Sequence, residues 1–283
     1  MGKEPSIREF CINLLDQGDL ASKLAPPRTA HGAPLADNDP GQAIFRSHPA
    51  REPKLSLSSG AEPLPRPGQL RQAEARARCL ARFAHHELMA VELFAWALLR
   101  WPDLPAELRR LWLATLAEEQ IHCRLYLDRL AAHGSDLSEH CRSDYFWKQL
   151  PAIEGSPHGP KAFLAAMGLT LEQANLDFTL VYRDGFREAG DLQSAQVCQR
   201  VHDDEVLHVR RAAEWLIRLS PEHGEDGVAA YEESVPFPLA ANRAKGRRFD
   251  QKARRSAGLS EAFIEHVRTA RSSQQVAGST KPS

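Results

Sequence analysis

Two Glu-x-x-His steps, Glu119-Gln-Ile-His122 and Glu205-Val-Leu-His208, recur within a chain of 283 residues. On a helix, side chains at i and i+3 share a face, so each step can bring a carboxylate and an imidazole to one point. Each step follows a lone glutamate on an apolar helical stripe, Glu87 and Glu172. One Glu from each of two helices, plus Glu-x-x-His from each of two others, is the ligand set of a dinuclear metal site inside a four-helix bundle. Oxygen donors with imidazole suit iron or manganese, or a mixed manganese/iron pair, better than a thiolate-loving metal. A single Glu-x-x-His should occur about once by chance in a chain of this length. The weight therefore rests on the pair, its partners and where the turns fall.

The elements that must position these residues are long helices. From about Gln69 to Leu219 the sequence is rich in Leu and Ala with helical periodicity. The first helix spans about Gln69 to Arg100 and stops at Trp101-Pro-Asp-Leu-Pro105. The second runs from Ala106 to His133-Gly134. A connection from Ser135 to Pro160 carries Pro151, Gly155, Pro157 and Gly159 and is expected to be partly non-helical. The third helix covers Lys161 to Arg187, with a break allowed at Gly168 before the capping-box-like Thr170-Leu-Glu-Gln. The fourth runs from Leu192 to Leu219. Short link, long crossover, short link gives an all-α, ferritin-like antiparallel bundle.

Two residues equidistant from a hairpin turn lie level. Glu87 and Glu119 are centred on residue 103, inside the Pro102–Pro105 turn, and Glu172 and Glu205 are centred beside Ala189-Gly190. Each carboxylate is then about 24 Å from its turn. Glu87 shares its stripe with Phe83, Val91, Phe94 and Leu98, and Glu119 with Leu108, Trp112, Leu116 and Tyr126. Glu205 lies with Val201, Ala212 and Trp215, and Glu172 with Leu169, Leu176 and Thr179. Carboxylates so deep in apolar stripes need a partner or a metal.

Neighbouring groups compete for these roles. Glu92 lies five residues after Glu87, about 140° around the helix, so both cannot face the centre. The stripe and the midpoint favour Glu87, with Glu92 as the alternative or as an acid behind the ligands. Asp177 stands in the same relation to Glu172. Asp204 is a candidate to accept the second nitrogen of a ligating histidine. His85, His86 and His202 read as surface or satisfied core histidines, Tyr126 and Tyr182 as core aromatics, and Cys123 and Cys198 as small buried fillers.

Outside residues 69–221 the texture changes. Residues 1–68 hold one short helix within 5–24, ending near Gly18, and a Pro/Gly/Ser-rich arm from Pro26 to Pro67 that should be irregular. Residues 222–283 form an extension with a basic stretch (Arg243, Lys245, Arg247, Arg248, Lys252, Arg254, Arg255), one helix over Ser260 to Thr269, and a last dozen residues expected to be disordered. The net charge of −1 gives no global field for nucleic acid or membrane. Five cysteines without a C-x-x-C pair argue against a secreted disulfide scaffold. With no apolar run of signal-peptide or membrane-span length, a cytoplasmic protein is expected.

Glu87-Leu-Met-Ala-Val resembles the first-helix ligand segment of bacterioferritins. More closely, Ala84-His-His-Glu-Leu-Met-Ala-Val-Glu-Leu, Glu118-Glu-Gln-Ile-His-Cys-Arg-Leu, Gly168-Leu-Thr-Leu-Glu-Gln-Ala-Asn-Leu-Asp, Phe186-Arg-Glu-Ala-Gly-Asp and Asp204-Glu-Val-Leu-His-Val resemble a bacterial ferritin-like family catalogued as a domain of unknown function, DUF455. The likeness covers roughly residues 70–260 and is distantly similar to the tRNA hydroxylase of a modified adenosine. It implies Glu87, Glu119, His122, Glu172, Glu205 and His208 as di-iron ligands, and it specifies no reaction.

A di-iron centre of this kind makes an O2- or peroxide-dependent oxidoreductase or hydroxylase the leading reading. Its substrate would be a small molecule or a modified RNA, with an electron donor expected and a homodimer allowed. The basic stretch reads as solvated surface ahead of an RNA contact. The competing readings are iron handling, as a ferroxidase or peroxide-detoxifying protein without an organic substrate, and a metal-free bundle that works through partners.

Overall fold

The computed structural model describes residues 5–60 and 62–271, and among them the architecture is all-α with no strand. No described helix is long and apolar enough to cross a membrane. The chain divides into two compact units: Met1–Leu150 with Arg183–Val197, and Pro151–Tyr182 with Cys198–Ser283.

The first unit begins with α1 (Ile7–Asp16), started by a capping box in which Ser6 and Glu9 satisfy each other's backbone N–H. This is the one short helix the sequence leads to, ending near Gly18, and α2 (Leu20–Leu24) follows it as an unanticipated further turn. Gly18 between them admits the arm closely: a Cβ there would lie 2.7 Å from the backbone nitrogen of Glu52. The long helices α3 (Ala73–Arg100) and α4 (Ala106–Ala132) pack along their lengths. Neither contains an internal Gly or Pro, so nothing interrupts either ladder. Their link is closed by Trp101, which meets Trp96 edge-on at 5.2 Å and Trp112 at 6.1 Å.

Every residue of α3 from Glu87 to Leu99 is buried, as expected of a helix covered on all sides. One cover is α4; another is α1, which also packs on α3. The arm between α2 and α3 is irregular apart from 3-10 turns at Pro53–Leu55 and Pro67–Arg71. It is tied down along the chain. Ile44 N–H donates to Leu99 O at 2.9 Å, and the buried Arg109 guanidinium bridges Asp37 and Leu98 O. Leu55 is buried.

The crossover carries 3-10 turns at Leu137–Glu139 and Trp147–Gln149 and the short helix α5 (Leu150–Glu154). In the second unit, α6 (Pro160–Phe163) runs directly into a π-helical segment, Leu164–Glu172, and then into α7 (Gln173–Glu188). The break allowed at Gly168 is not there. Gly168 permits close approach instead, since a Cβ would lie 2.2 Å from the Ala212 Cβ on α8 (Leu192–Arg218). The helices α7 and α8 pack as a pair. Three short helices follow: α9 (Val228–Ser234), α10 (Gln251–Ser256) and α11 (Glu261–Thr269). Only α11 is anticipated by the sequence, and Ser260 caps it by accepting from Phe263 N–H at 3.1 Å. The dozen terminal residues expected to be disordered lie outside the described residues.

Candidate metal centre

In the first unit, α3 supplies Glu87, and α4 supplies Glu119 and His122. All three are buried, and they offer donor atoms within 4.8 Å of one another. In the second unit, Glu172 is the last residue of the π segment, and α8 supplies Glu205 and His208. These three are buried as well, with donor atoms again within 4.8 Å. Each unit therefore holds one Glu/Glu/His triad.

The triads share a detail of orientation. His122 Nδ1 lies 3.3 Å from Glu119 Oε2, and His208 Nδ1 lies 3.4 Å from Glu205 Oε2. The i, i+3 spacing on a helix produces this geometry, and it turns the same ring nitrogen toward the carboxylate in both units. Two carboxylates and an imidazole gathered this tightly away from water repel as acids and attract a cation. Oxygen and nitrogen donors without thiolate fit iron or manganese. In the second unit Asn175 donates from Nδ2 to Glu205 Oε1 at 2.9 Å, fixing one oxygen of that carboxylate. Glu205 Oε2 receives no hydrogen bond among the described residues. The buried donor set is thus compatible with a metal site.

The π segment shapes the approach to Glu172. Thr170 donates its hydroxyl to Ala165 O, five residues back, at 2.7 Å. That leaves the Thr170 oxygen to accept from Tyr231 OH on α9, at 2.8 Å. Burial pushes the Tyr231 phenol up, so it remains a donor. A Cβ at Gly168 would also come within 3.5 Å of Glu172 Oε2. Nothing in the 3.6-residue pattern signals this widened turn, and Asn175, three residues after Glu172, is the other group that pattern passes over.

The two competing acids have other partners. Glu92 is fully buried and accepts from Arg51 Nε at 3.0 Å, Arg51 Nη2 at 2.7 Å and Trp147 Nε1 at 3.0 Å. Lys23 Nζ lies 3.0 Å from it as well. Burial alone would raise this carboxyl, but Arg51 and Lys23 together hold it below the usual range. Asp177 is gripped by Arg254 at 2.8 and 2.9 Å and accepts from Gly246 N–H and Asp250 N–H. Asp204 takes the Arg200 guanidinium at 2.6 Å.

His85 is a satisfied core histidine. Its Nε2 meets Ser143 O at 2.7 Å, which makes that nitrogen the donor and leaves Nδ1 to face Arg51. Burial, and then Arg51, holds it well below its ordinary value. His86 stacks on Phe146, and burial draws it down to about 3. His202 lies between Asp203 and Asp250. Tyr126 packs on Phe83. Cys123 donates to Ala84 O at 3.3 Å; burial pushes its thiol up, and Glu87 adds to the effect. Cys198 is buried.

The basic stretch is not one free patch. Arg254 is buried on Asp177, Arg255 pairs with Glu261, and Lys245 donates to Arg268 O and Ala270 O. A cavity of about 610 Å³ in the first unit is lined by His48, Arg51, Asp144, Trp147 and Lys148 among others, and by none of the triad residues. Its Lys148 and Asp144 pair at 2.9 Å. An exposed group in the second unit, Glu222, His223 and Glu233, shares its acids with Lys161 and His158 and forms a surface ion-pair cluster.

No curated protein and no solved structure matches the chain. The family described as "Protein of unknown function (DUF455)" matches residues 16–265. With buried Glu/His triads on packed helices and that match over most of its length, the chain belongs to the DUF455 family.

Proposed function

We propose that the two triads together hold a dinuclear iron or manganese centre in a ferritin-like bundle, and that the protein is an O2- or peroxide-dependent oxidoreductase. The observation that carries this reading is the repetition. Two units each present Glu/Glu/His from packed helices, with the same histidine nitrogen turned to the glutamate three residues before it, at 3.3 and 3.4 Å. The order of long helices, with short links at residues 101–105 and 189–191 and a long crossover, supports the ferritin-like arrangement.

When bound, the metal pair would supply the Lewis acidity and electron exchange. The chain's own part is to hold and orient. Glu87, Glu119, His122, Glu172, Glu205 and His208 would bind the ions, and Asn175 keeps one Glu205 oxygen in place. The apolar flanks of α3 and α8 exclude water, which strengthens every charge interaction at the ligands. Iron handling without an organic substrate uses the same donors and is separated from hydroxylation by the fate of O2.

The test is metal content of the purified protein, with an absorption spectrum after anaerobic Fe(II) loading and exposure to air. About two ions per chain are expected. Glu119→Ala or Glu205→Ala should abolish that binding with helical content retained. Fewer than about one ion per chain in the native protein sinks the proposal. Stoichiometry unchanged in both variants rejects the ligand set. Oxygen consumption that ends once Fe(II) is spent, whatever organic compound is added, decides for iron handling.

A further inference from the structure

Glu87 and Glu172 are each followed, five residues later, by a second fully buried acid, Glu92 and Asp177. Each acid is gripped in a two-pronged contact by an arginine from a terminal segment of the chain. In the first unit, Arg51 of the arm donates from Nε and Nη2 to the two oxygens of Glu92. In the second, Arg254 of the C-terminal extension donates from Nη1 and Nη2 to the two oxygens of Asp177.

We propose that Arg51 and Arg254 are positioning residues, one per unit, that lock the rotation and register of the helix carrying Glu87 and of the segment carrying Glu172. This rests on the metal-centre reading above. At a rise of about 1.5 Å per residue, the clamp lies about 7.5 Å along the helix and about 140° around it from the ligand. It therefore holds the back of the helix and leaves the ligand face clear.

Charge balance does not explain Arg51, because Lys23 Nζ is already 3.0 Å from Glu92. Nor do buried ion pairs generally stabilise a fold better than apolar packing. What a guanidinium fork adds over an ammonium is a fixed angle. Arg51 also meets His85, two residues before Glu87, at 3.3 Å, and Arg254 reaches the neighbour of a candidate ligand. Arg254 Nη2 contacts Gln173 O, the residue after Glu172, at 3.4 Å. The segment around Lys23 accepts from Gln120, the residue after Glu119: Gln120 Nε2 donates to Lys23 O at 2.9 Å and Ala25 O at 2.8 Å. The same device, at the same offset from two candidate ligands, is built from opposite ends of the chain.

The test uses full-length Arg51→Lys and Arg254→Lys, which keep the charge and lose the fork. Mn(II) binding is followed by electron paramagnetic resonance in the cold, and melting by circular dichroism. Each variant should keep native helical content while its Mn(II) dissociation constant rises at least about tenfold, the usual cost of disturbing a group behind the ligands. A lower melting temperature with the Mn(II) constant unchanged means that the clamps are only structural, and overturns the proposal. Where Arg254→Lys does not fold, the pair Arg254→Met with Asp177→Leu leaves no charge buried alone and is read by the same two outcomes. Native protein that takes up no Mn(II) or iron overturns the metal centre and this role together. Native binding with undiminished variants overturns this role alone.

Discussion

The carboxylate of Glu92 lies between Arg51, Lys23 and the Trp147 indole, with no exposed surface. Its folded pKa lies below the ordinary 4.5. A depressed carboxylate contributes stability above its unfolded value, and that stability is lost as pH falls through the folded value. Glu92→Gln leaves two buried cations facing an amide, so it should destabilise the protein by about 3–5 kcal/mol at pH 7. The gap should begin to narrow as pH falls below about 4.5, where the unfolded chain takes up a proton that the folded carboxylate refuses, and close as pH falls through the lower folded value. Melting curves from pH 7 to 3 check this; a gap that stays constant would mean that Glu92 is not ionised in the fold. Helical spacing favours Glu87 over Glu92 and Glu172 over Asp177, but it does not say what the second acid of each pair serves. Each second acid is claimed by an arginine far away in the chain, at separations of 41 and 77 residues.

At the scale of elements, the π segment is the least regular piece of helix and the one that ends on a candidate ligand. Its glycine is a point of close approach to α8, where an added Cβ would lie 2.2 Å from the Ala212 Cβ. Gly168→Ala should cost about 1–3 kcal/mol through overpacking on Ala212 and should weaken metal binding, since the same Cβ would crowd Glu172. Adding Ala212→Gly should return most of the stability. If Gly168→Ala alone melts like the native protein, the close approach is not what the glycine serves. The long helices themselves are legible in the sequence: uninterrupted Leu- and Ala-rich periodicity has a local cause, and Trp101-Pro102 and Ala189-Gly190 mark their turns. The π segment is not legible, because the Thr170 bond to Ala165 O, five residues back, lies outside the 3.6-residue pattern and its second bond, to Tyr231, spans 61 residues. The same limit turns a close-packing Gly168 into an apparent helix break.

At the scale of the molecule, each unit has one triad and one segment, the arm or the C-terminal extension, that grips a buried acid five residues past a triad glutamate. Lys23, Arg51 and Arg254 are spent on intramolecular pairs. The terminal segments are therefore committed to the chain's own helices rather than to a shell, and the native protein should elute as a single chain or a dimer. Elution as a large cage would return storage to first place.

The sequence by itself determined the long helices and picked out six Glu and His side chains on them that prove to be buried. Both follow from periods of three to four residues and from the chemistry of single side chains. Only the tertiary structure decided that Glu92 and Asp177 serve the terminal arginines, that Lys245, Arg254 and Arg255 of the basic stretch are held within the chain, and that Glu172 closes a π turn. Those choices depend on which groups meet across tens of residues once water is excluded, where an unpaired charge is too costly to leave and the nearest partner takes it.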